Sequence, residues 1–212
     1  MDKTQIQKAL EQLKQQKKRN FSQSYDLIIN LKHFDPKSES INLFLPLPFP
    51  PPRKIKIAAF VAPELAEQAD KFCDLTIKEA DFSKYDRKAQ KKLAQEYDYF
   101  LAQANLMPKI AQIFGKALGV KGKMPNPKLG CVLPPNANLE PLIKKLHSSI
   151  RLSNKKATNL QCLVGKENQP DEQVIANILS VYNTLLKELP QEKHNIKSVQ
   201  LKLTMSKPVK II

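Results

Sequence analysis

The chain reads as an α/β (α+β) protein of two domains: a discontinuous outer α+β domain over 1–62 and 154–212, with a split antiparallel-rich sheet, and an α/β domain inserted over 63–153. Three observations predict this. Apolar residues recur with period two near both ends, Tyr25, Leu27, Ile29 and Leu31 at one and Val199, Leu201 and Leu203 at the other, as strands covered on one face require. The middle alternates helical and strand-like segments, the pattern of a parallel sheet. Four of the five glycines fall in one stretch of the middle, GKALGVKGKMPNPKLG at 115–130, so a chain that otherwise avoids glycine has a local need for it there.

In order, residues 3 to 18 are expected to be helical. Ile6, Ala9, Leu10 and Leu13 share one face, and Lys17, Lys18 and Arg19 close the helix where cations suit its dipole. The period changes to two from Ser24 to Leu31, Asp35–Pro36 makes a turn, and Ile41, Leu43 and Leu45 resume the alternation. PLPFPPP at 46–52 precedes a third strand through Ile55, Ile57 and Ala59. Between two strands it reads as a stiff connection, with a polyproline ligand for an SH3-type domain as the alternative. All three strands are assigned to the outer domain.

Pro63 suits the first turn of a helix through Phe72. A short strand Cys73–Ile77, a helical 84–96, an apolar Tyr97–Leu101 and a helix from Leu106 to Leu118 lead to the glycine-rich stretch. Asn138 caps a helix running to Ile150, with Pro141 in its first turn. Leu160, Cys162 and Val164 form a strand ending at Gly165–Lys166. A long helix over 171–189 places Val174, Ile175, Ile178, Leu179, Tyr182, Leu185, Leu186 and Leu189 on one broad face, and the last strand runs from Ile196 to Thr204.

Lys plus Arg total 35 against 20 Asp plus Glu, a net charge of +15. Such an excess points to nucleic acid or an anionic membrane surface as partner. The outer segments as drawn hold the larger share of it, so the outer domain is the expected site of the main anionic partner. No apolar run approaches the ~18 residues that span a bilayer, and the amino-terminal segment is too polar for a secretory core. A soluble, cytoplasmic protein is expected.

Cys73, Cys131 and Cys162 stand singly, as do His33, His147 and His194, without metal-site or triad spacing. Gly122–Lys123 fails as a Walker loop: Ala117 holds the first glycine position, and Met124 follows the lysine where a Ser or Thr must reach magnesium. No G-x-G-x-x-G follows a strand. The expectation is binding without enzymatic activity, cofactor or metal.

Within the glycine-rich stretch, Pro125–Asn126–Pro127 stiffens the centre, and Lys116, Lys121, Lys123 and Lys128 thread between the glycines. The stretch resembles the signature of the ribosomal protein L-one family, which looks like G-x-x-L-G-P-[RK]-G-x-M-P-N-P-K-x-G-x-V. Gly115, Leu118, Gly119, Lys121, Gly122, Met124, Pro125, Asn126, Pro127, Lys128, Gly130 and Val132 match, and Val120 stands where the family usually has proline. NFSQSYDLIINLKHFDPKS is similar to the family's first strand, LVGKENQPDEQVIANI to the segment after the inserted domain, and KLTMSKPVKI to the carboxyl-terminal T-M-G strand end. The matches run in order over nearly the whole chain, and its short form looks archaeal.

The resemblance implies an outer domain that binds the stalk region of large-subunit rRNA and an inserted Rossmann-like domain. Carried over by position, the implied RNA-binding residues are Phe21, Gln23 and Ser24 at the first strand and Thr204, Met205 and Ser206 at the last, with Lys155, Lys156 and Lys166 near the same surface. The loop Lys121, Gly122, Lys123, Met124, Pro125, Asn126, Pro127 and Lys128 is implied to face exit-site tRNA and to contribute to its movement and release. The resemblance further implies a monomer when free, association with the ribosome, and repression of translation through the protein's own mRNA. An extra-ribosomal regulator of the same family is the alternative. Two departures stand out: Ser206 replaces the glycine of T-M-G, and PLPFPPP replaces a glycine-containing turn.

Overall fold

The computed structural model describes residues 1–17, 19–35, 41–52, 54–135, 137–154 and 157–212, with Lys128 described by its backbone alone. The chain divides into two compact units, Met1–Pro52 with Ser148–Ile212, and Arg53–His147.

The first unit contains α1 (Lys3–Lys14), β1 (Ser24–Leu31), β2 (Asn42–Pro46), β7 (Ser149–Ser153), β8 (Asn159–Lys166), α6 (Asp171–Glu188), β9 (Ile196–Leu203) and β10 (Val209–Lys210). Its main sheet has the order β10-β9-β1-β8, antiparallel throughout, so the first strand of the chain lies between two of the last. The alternation read in the sequence becomes burial: Tyr25, Leu27, Ile29 and Leu31 enter a core with Leu160, Val164, Val199, Leu201 and Leu203. Ile6, Leu10 and Leu13 of α1 and Val174, Ile178, Val181 and Leu185 of α6 close that core. The helix expected over 3–18 stops at Lys14, because no apolar residue after Leu13 extends the buried face and tertiary packing supplies most of a helix's stability.

β2 pairs with β7 in a separate two-stranded ribbon, from Asn42 opposite Ser153 to Pro46 opposite Ser149. The helix expected to run to Ile150 ends at Ser148, and Ile150 belongs to β7, whose two apolar residues are too few to declare a period. Beyond β2 the proline cluster is tied down by Asn177, a wholly buried residue of α6. The Asn177 Oδ1 accepts from the Phe49 N–H at 3.0 Å, and its Nδ2 donates to the carbonyls of Phe49 (2.6 Å) and Val164 (2.8 Å).

The second unit holds β3 (Ile57–Val61), α2 (Pro63–Phe72), β4 (Leu75–Lys78), α3 (Arg87–Glu96), β5 (Tyr99–Gln103), α4 (Met107–Lys121), β6 (Val132–Leu133) and α5 (Leu139–Ser148). Its sheet is parallel, in the order β4-β3-β5-β6. Here the structure corrects the domain boundaries. The third strand, expected in the outer domain, is β3 of the parallel sheet, and all five of its residues are buried. A continuous apolar run such as IAAFV marks a strand covered on both faces, not one half-exposed. The boundaries therefore fall at 52/53 and 147/148 instead of 62/63 and 153/154. With them the charge divides almost evenly, +8 in the first unit and +7 in the second, against the expected concentration in the outer segments. Phe60, Phe82, Phe100 and Phe114 form the aromatic centre of this unit, with the Phe60 ring centroid 4.9 Å from that of Phe114.

Candidate nucleic-acid interface

Because β1 lies between β8 and β9, its beginning meets the ends of both. Ser24 pairs with Lys166 and Tyr25 with Leu203. Side chains lock this junction. The Ser24 N–H donates to the Thr204 hydroxyl at 3.1 Å, and the Thr204 N–H returns a bond to the Ser24 carbonyl at 3.1 Å. The Gln23 N–H donates to a Glu167 carboxylate oxygen at 3.1 Å, the Glu167 N–H donates to the Gln23 carbonyl at 2.9 Å, and the Gln23 Oε1 accepts from the Met205 N–H at 3.1 Å. One buried glutamine thus clamps all three strand ends.

Above the clamp two apolar side chains stand out, Phe21 at 52 % exposure and Met205 at 59 %. An open cleft of about 410 Å³ lies beside Phe21, lined also by Arg19, Asn20, Ser22, Glu167 and Asn168. Of the residues expected here, the structure brings together Phe21, Gln23, Ser24, Lys166, Thr204, Met205 and Ser206, but it gives Gln23 a different place. At 2 % exposure Gln23 lies beneath the surface and positions it. Lys155 and Lys156 lie outside the described residues. The Ser206 hydroxyl turns back on its own turn, accepting from the Leu203 N–H at 2.7 Å. Glu167 and Asn168 are not among the residues expected here, Arg19 is expected only to close the first helix, and Asn20 only as a polar neighbour of Phe21. Their signal was adjacency to Lys166 and Phe21, which becomes meaningful only once β1 and β8 pair.

Gly165 is held by packing: a Cβ there would come 2.9 Å from Val174 of α6. Its absence lets α6 approach the end of β8 and fixes Lys166 and Glu167 at the site. Beneath the clamp the Tyr25 hydroxyl is buried without a hydrogen-bond partner among the described residues. Burial, followed by the negative charges of Asp171 and Glu167, pushes its phenol up to about 12.

The glycine-rich stretch is only half loop. Gly115 and Gly119 lie within α4, which continues three residues past its expected end at Leu118. Gly122 ends the helix in the left-handed region (φ 65°), with its N–H bonded to the Gly119 carbonyl and the Lys123 N–H to that of Leu118. Pro125 is buried, and the Asn126 carbonyl accepts from the N–H groups of Leu129 and Cys131. Lys123 departs from the outward-facing cation expected of it: its ammonium donates to the Tyr97 carbonyl at 2.7 Å and holds the loop to the unit. Lys121 and Pro127 are exposed, Gly122 caps the helix, and Met124 packs on the core.

In an open parallel sheet, ligands bind where successive connections leave to opposite sides, outside the carboxyl ends of the strands. Here that crevice lies between β3 and β5, and it is filled. Gln103, at the end of β5 and wholly buried, accepts from the Ala62 N–H at 2.9 Å and donates to the Glu64 carboxylate at 3.4 Å. The helix that would meet a phosphate opens with Pro63 and Glu64, which supply one N–H fewer and a negative charge.

A clamped strand junction bearing Lys166 and Arg19 on one unit, and on the other a parallel sheet whose crevice Gln103 bridges, give a two-unit α/β protein without the glycine-rich phosphate loop of a nucleotide-binding enzyme. Residues 13–207 match the model of the Ribosomal protein L1p/L10e family, and the chain belongs to that family, whose members are ribosomal proteins rather than enzymes. Among its relatives are the large ribosomal subunit proteins uL1 of three archaea. That of Nanoarchaeum equitans is 40% identical over 92% of this chain and 94% of its own length. That of Thermofilum pendens is 38% identical over 92% and 86%. The protein of Methanothermococcus thermolithotrophicus is 35% identical over 100% and 99%.

Proposed function

We propose that this chain is a cytoplasmic component of the large ribosomal subunit whose first unit binds the stalk region of large-subunit rRNA through the joined ends of β1, β8 and β9. The observation that supports this most is Phe21 and Met205 standing exposed over a hydrogen-bonded clamp, among hydroxyl, amide and basic groups. Structured RNA is recognised by shape and 2′-hydroxyls, with cations neutralising phosphates and flat or apolar side chains meeting exposed sugars and bases. In this reading Phe21 and Met205 supply the apolar contact. Thr204, Ser24 and the Ser206 backbone meet polar groups of the RNA, Lys166, Lys155 and Lys156 meet phosphates, and Gln23 acts from below.

The second unit presents the Gly122–Lys128 loop, with Lys121 before it, towards exit-site tRNA and contributes to its movement and release. Lys123 serves by anchoring the loop. The same surface of the first unit binds a stem on the protein's own mRNA and represses its translation, the free protein being a monomer.

The test is titration of the full chain with a stalk rRNA fragment. Phe21→Ala or Thr204→Val weakens binding by about 1–3 kcal/mol, the scale of a lost stacking contact or an unpaired polar group. Lys121→Ala leaves it unchanged and slows tRNA release in translation. Wild-type affinity in both first-unit variants would overturn the assignment.

A further inference from the structure

The solvent half of α3 carries four cations that its own unit balances only in part, Glu96 acting on Lys92 while it is bonded to Lys56. Leu93 and Ala94 are buried, while Arg87, Lys88, Lys91, Lys92, Gln95 and Glu96 are exposed. At helical spacing these form two adjoining rows, Arg87–Lys91–Gln95 and Lys88–Lys92–Glu96. Each row holds like charges four residues apart, an arrangement that works against a helix in isolation. The first turn holds two cations and no acid, although the helix dipole favours anions there. Asp86 stands before it at the N-cap. The acid within the rows, Glu96, accepts from the Lys56 ammonium at 2.9 Å; that bond and the Lys56 charge, with a smaller contribution from Lys92, hold its carboxyl below the usual range. Among the described residues no ion pair involves Arg87, Lys88, Lys91 or Lys92. α1 and α4 likewise lack an acid in the first turn, but α5 and α6 are built with the opposite logic. α5 pairs Glu140 with Lys144 at 2.6 Å, and α6 opens with Asp171 and Glu172.

We propose that this face of α3 is a second RNA-binding surface, one that takes the phosphodiester backbone of a structured RNA segment other than the one held by the first unit. A polyanion is the partner that turns a row of mutually repelling cations from a cost into a gain, because each neutralised phosphate releases counterions. The occupant is nucleic acid and neither a membrane nor a protein core, because none of the large exposed apolar side chains belongs to α3. Membrane helices and protein interfaces are anchored by such side chains. Gln95, in line with Arg87 and Lys91, adds an amide suited to phosphate and sugar oxygens. The inference rests on the preceding reading only in taking RNA as the partner.

The test uses the full chain, wild type and R87Q/K88Q/K91Q/K92Q. The probes are an RNA duplex of unrelated sequence, about 20 base pairs long, and the stalk rRNA fragment, each titrated between roughly 50 and 200 mM salt. For the duplex, the glutamine variant loses roughly tenfold or more in affinity at the low-salt end, and the slope of log K against log salt shrinks by about 2 to 3. The arginine variant K88R/K91R/K92R keeps both. The stalk fragment binds the wild type and both variants alike. Unfolding midpoints of the glutamine variant equal or exceed the wild-type value, because like-charge pairs have been removed.

An unchanged duplex affinity and slope in the glutamine variant would overturn the proposal, as would poly-glutamate binding the wild type as tightly as the duplex. Loss of the stalk-fragment interaction alone would strike the first-unit reading and leave this one standing.

Discussion

Tyr25 shows how one side chain sets a pH limit on the fold. Its ring fills the core under the strand junction, while its hydroxyl has no partner among the described residues and faces the field of Asp171 and Glu167. The folded protein keeps this phenol protonated up to about 12, whereas an unfolded chain releases the proton near ~10. Stability from this group is therefore full below pH ~10 and falls as the pH rises from ~10 towards 12. Tyr25→Phe removes a buried, unsatisfied hydroxyl. It is expected to raise stability by about 1 kcal/mol at neutral pH and to flatten the alkaline decline, read from urea midpoints between pH 8 and 12. At this scale the sequence was a partial guide. The resemblance points to Ser24 and Thr204 together, and the structure joins them by hydrogen bonds, but the inward course of Gln23 and Lys123 depends on partners 182 and 26 residues away.

Among the elements, α4 shows where glycine is structural and where it is not. Gly122 and Gly130 have positive φ, and a Cβ on Gly130 would come 3.3 Å from Leu142. Gly115 and Gly119 are helical, and an added Cβ would meet nothing within 4 Å. Gly115→Ala and Gly119→Ala are therefore each expected to stabilise the protein by about 0.5–1 kcal/mol, seen as a raised melting temperature with stalk-RNA binding unchanged. Elements with strong periods, such as β1, β8, α6 and β9, could be read within a residue or two. The short ones, β6, β7 and β10, could not, because each offers at most two alternating apolar residues of its own and owes its existence to a partner strand. β3 is the strand expected at this point of the chain, but it pairs in the parallel sheet. Its uninterrupted apolar run was the available sign of burial on both faces.

For the whole molecule, the two units have separate cores, and the chain passes between them at 52/53 and 147/148. Replacing 53–147 by a short Gly-Ser linker is expected to leave the first unit folded and binding the stalk fragment within about threefold of wild type, since every residue proposed for that contact lies outside the excised span. Failure of the shortened chain to fold would mean that the first unit depends on the second.

The order of strands in the main sheet has a consequence for synthesis. β1 leaves the ribosome early, yet its neighbours are β8 and β9, and Leu27 must wait for Cys162 and Leu201. At ~5–20 residues per second the delay is on the order of ten seconds. Throughout it the parallel sheet can complete itself, while Tyr25, Leu27, Ile29 and Leu31 hang unpartnered from the nascent chain. A protein built this way can finish its middle before its beginning, and its first strand is the one whose partners are synthesised longest after it.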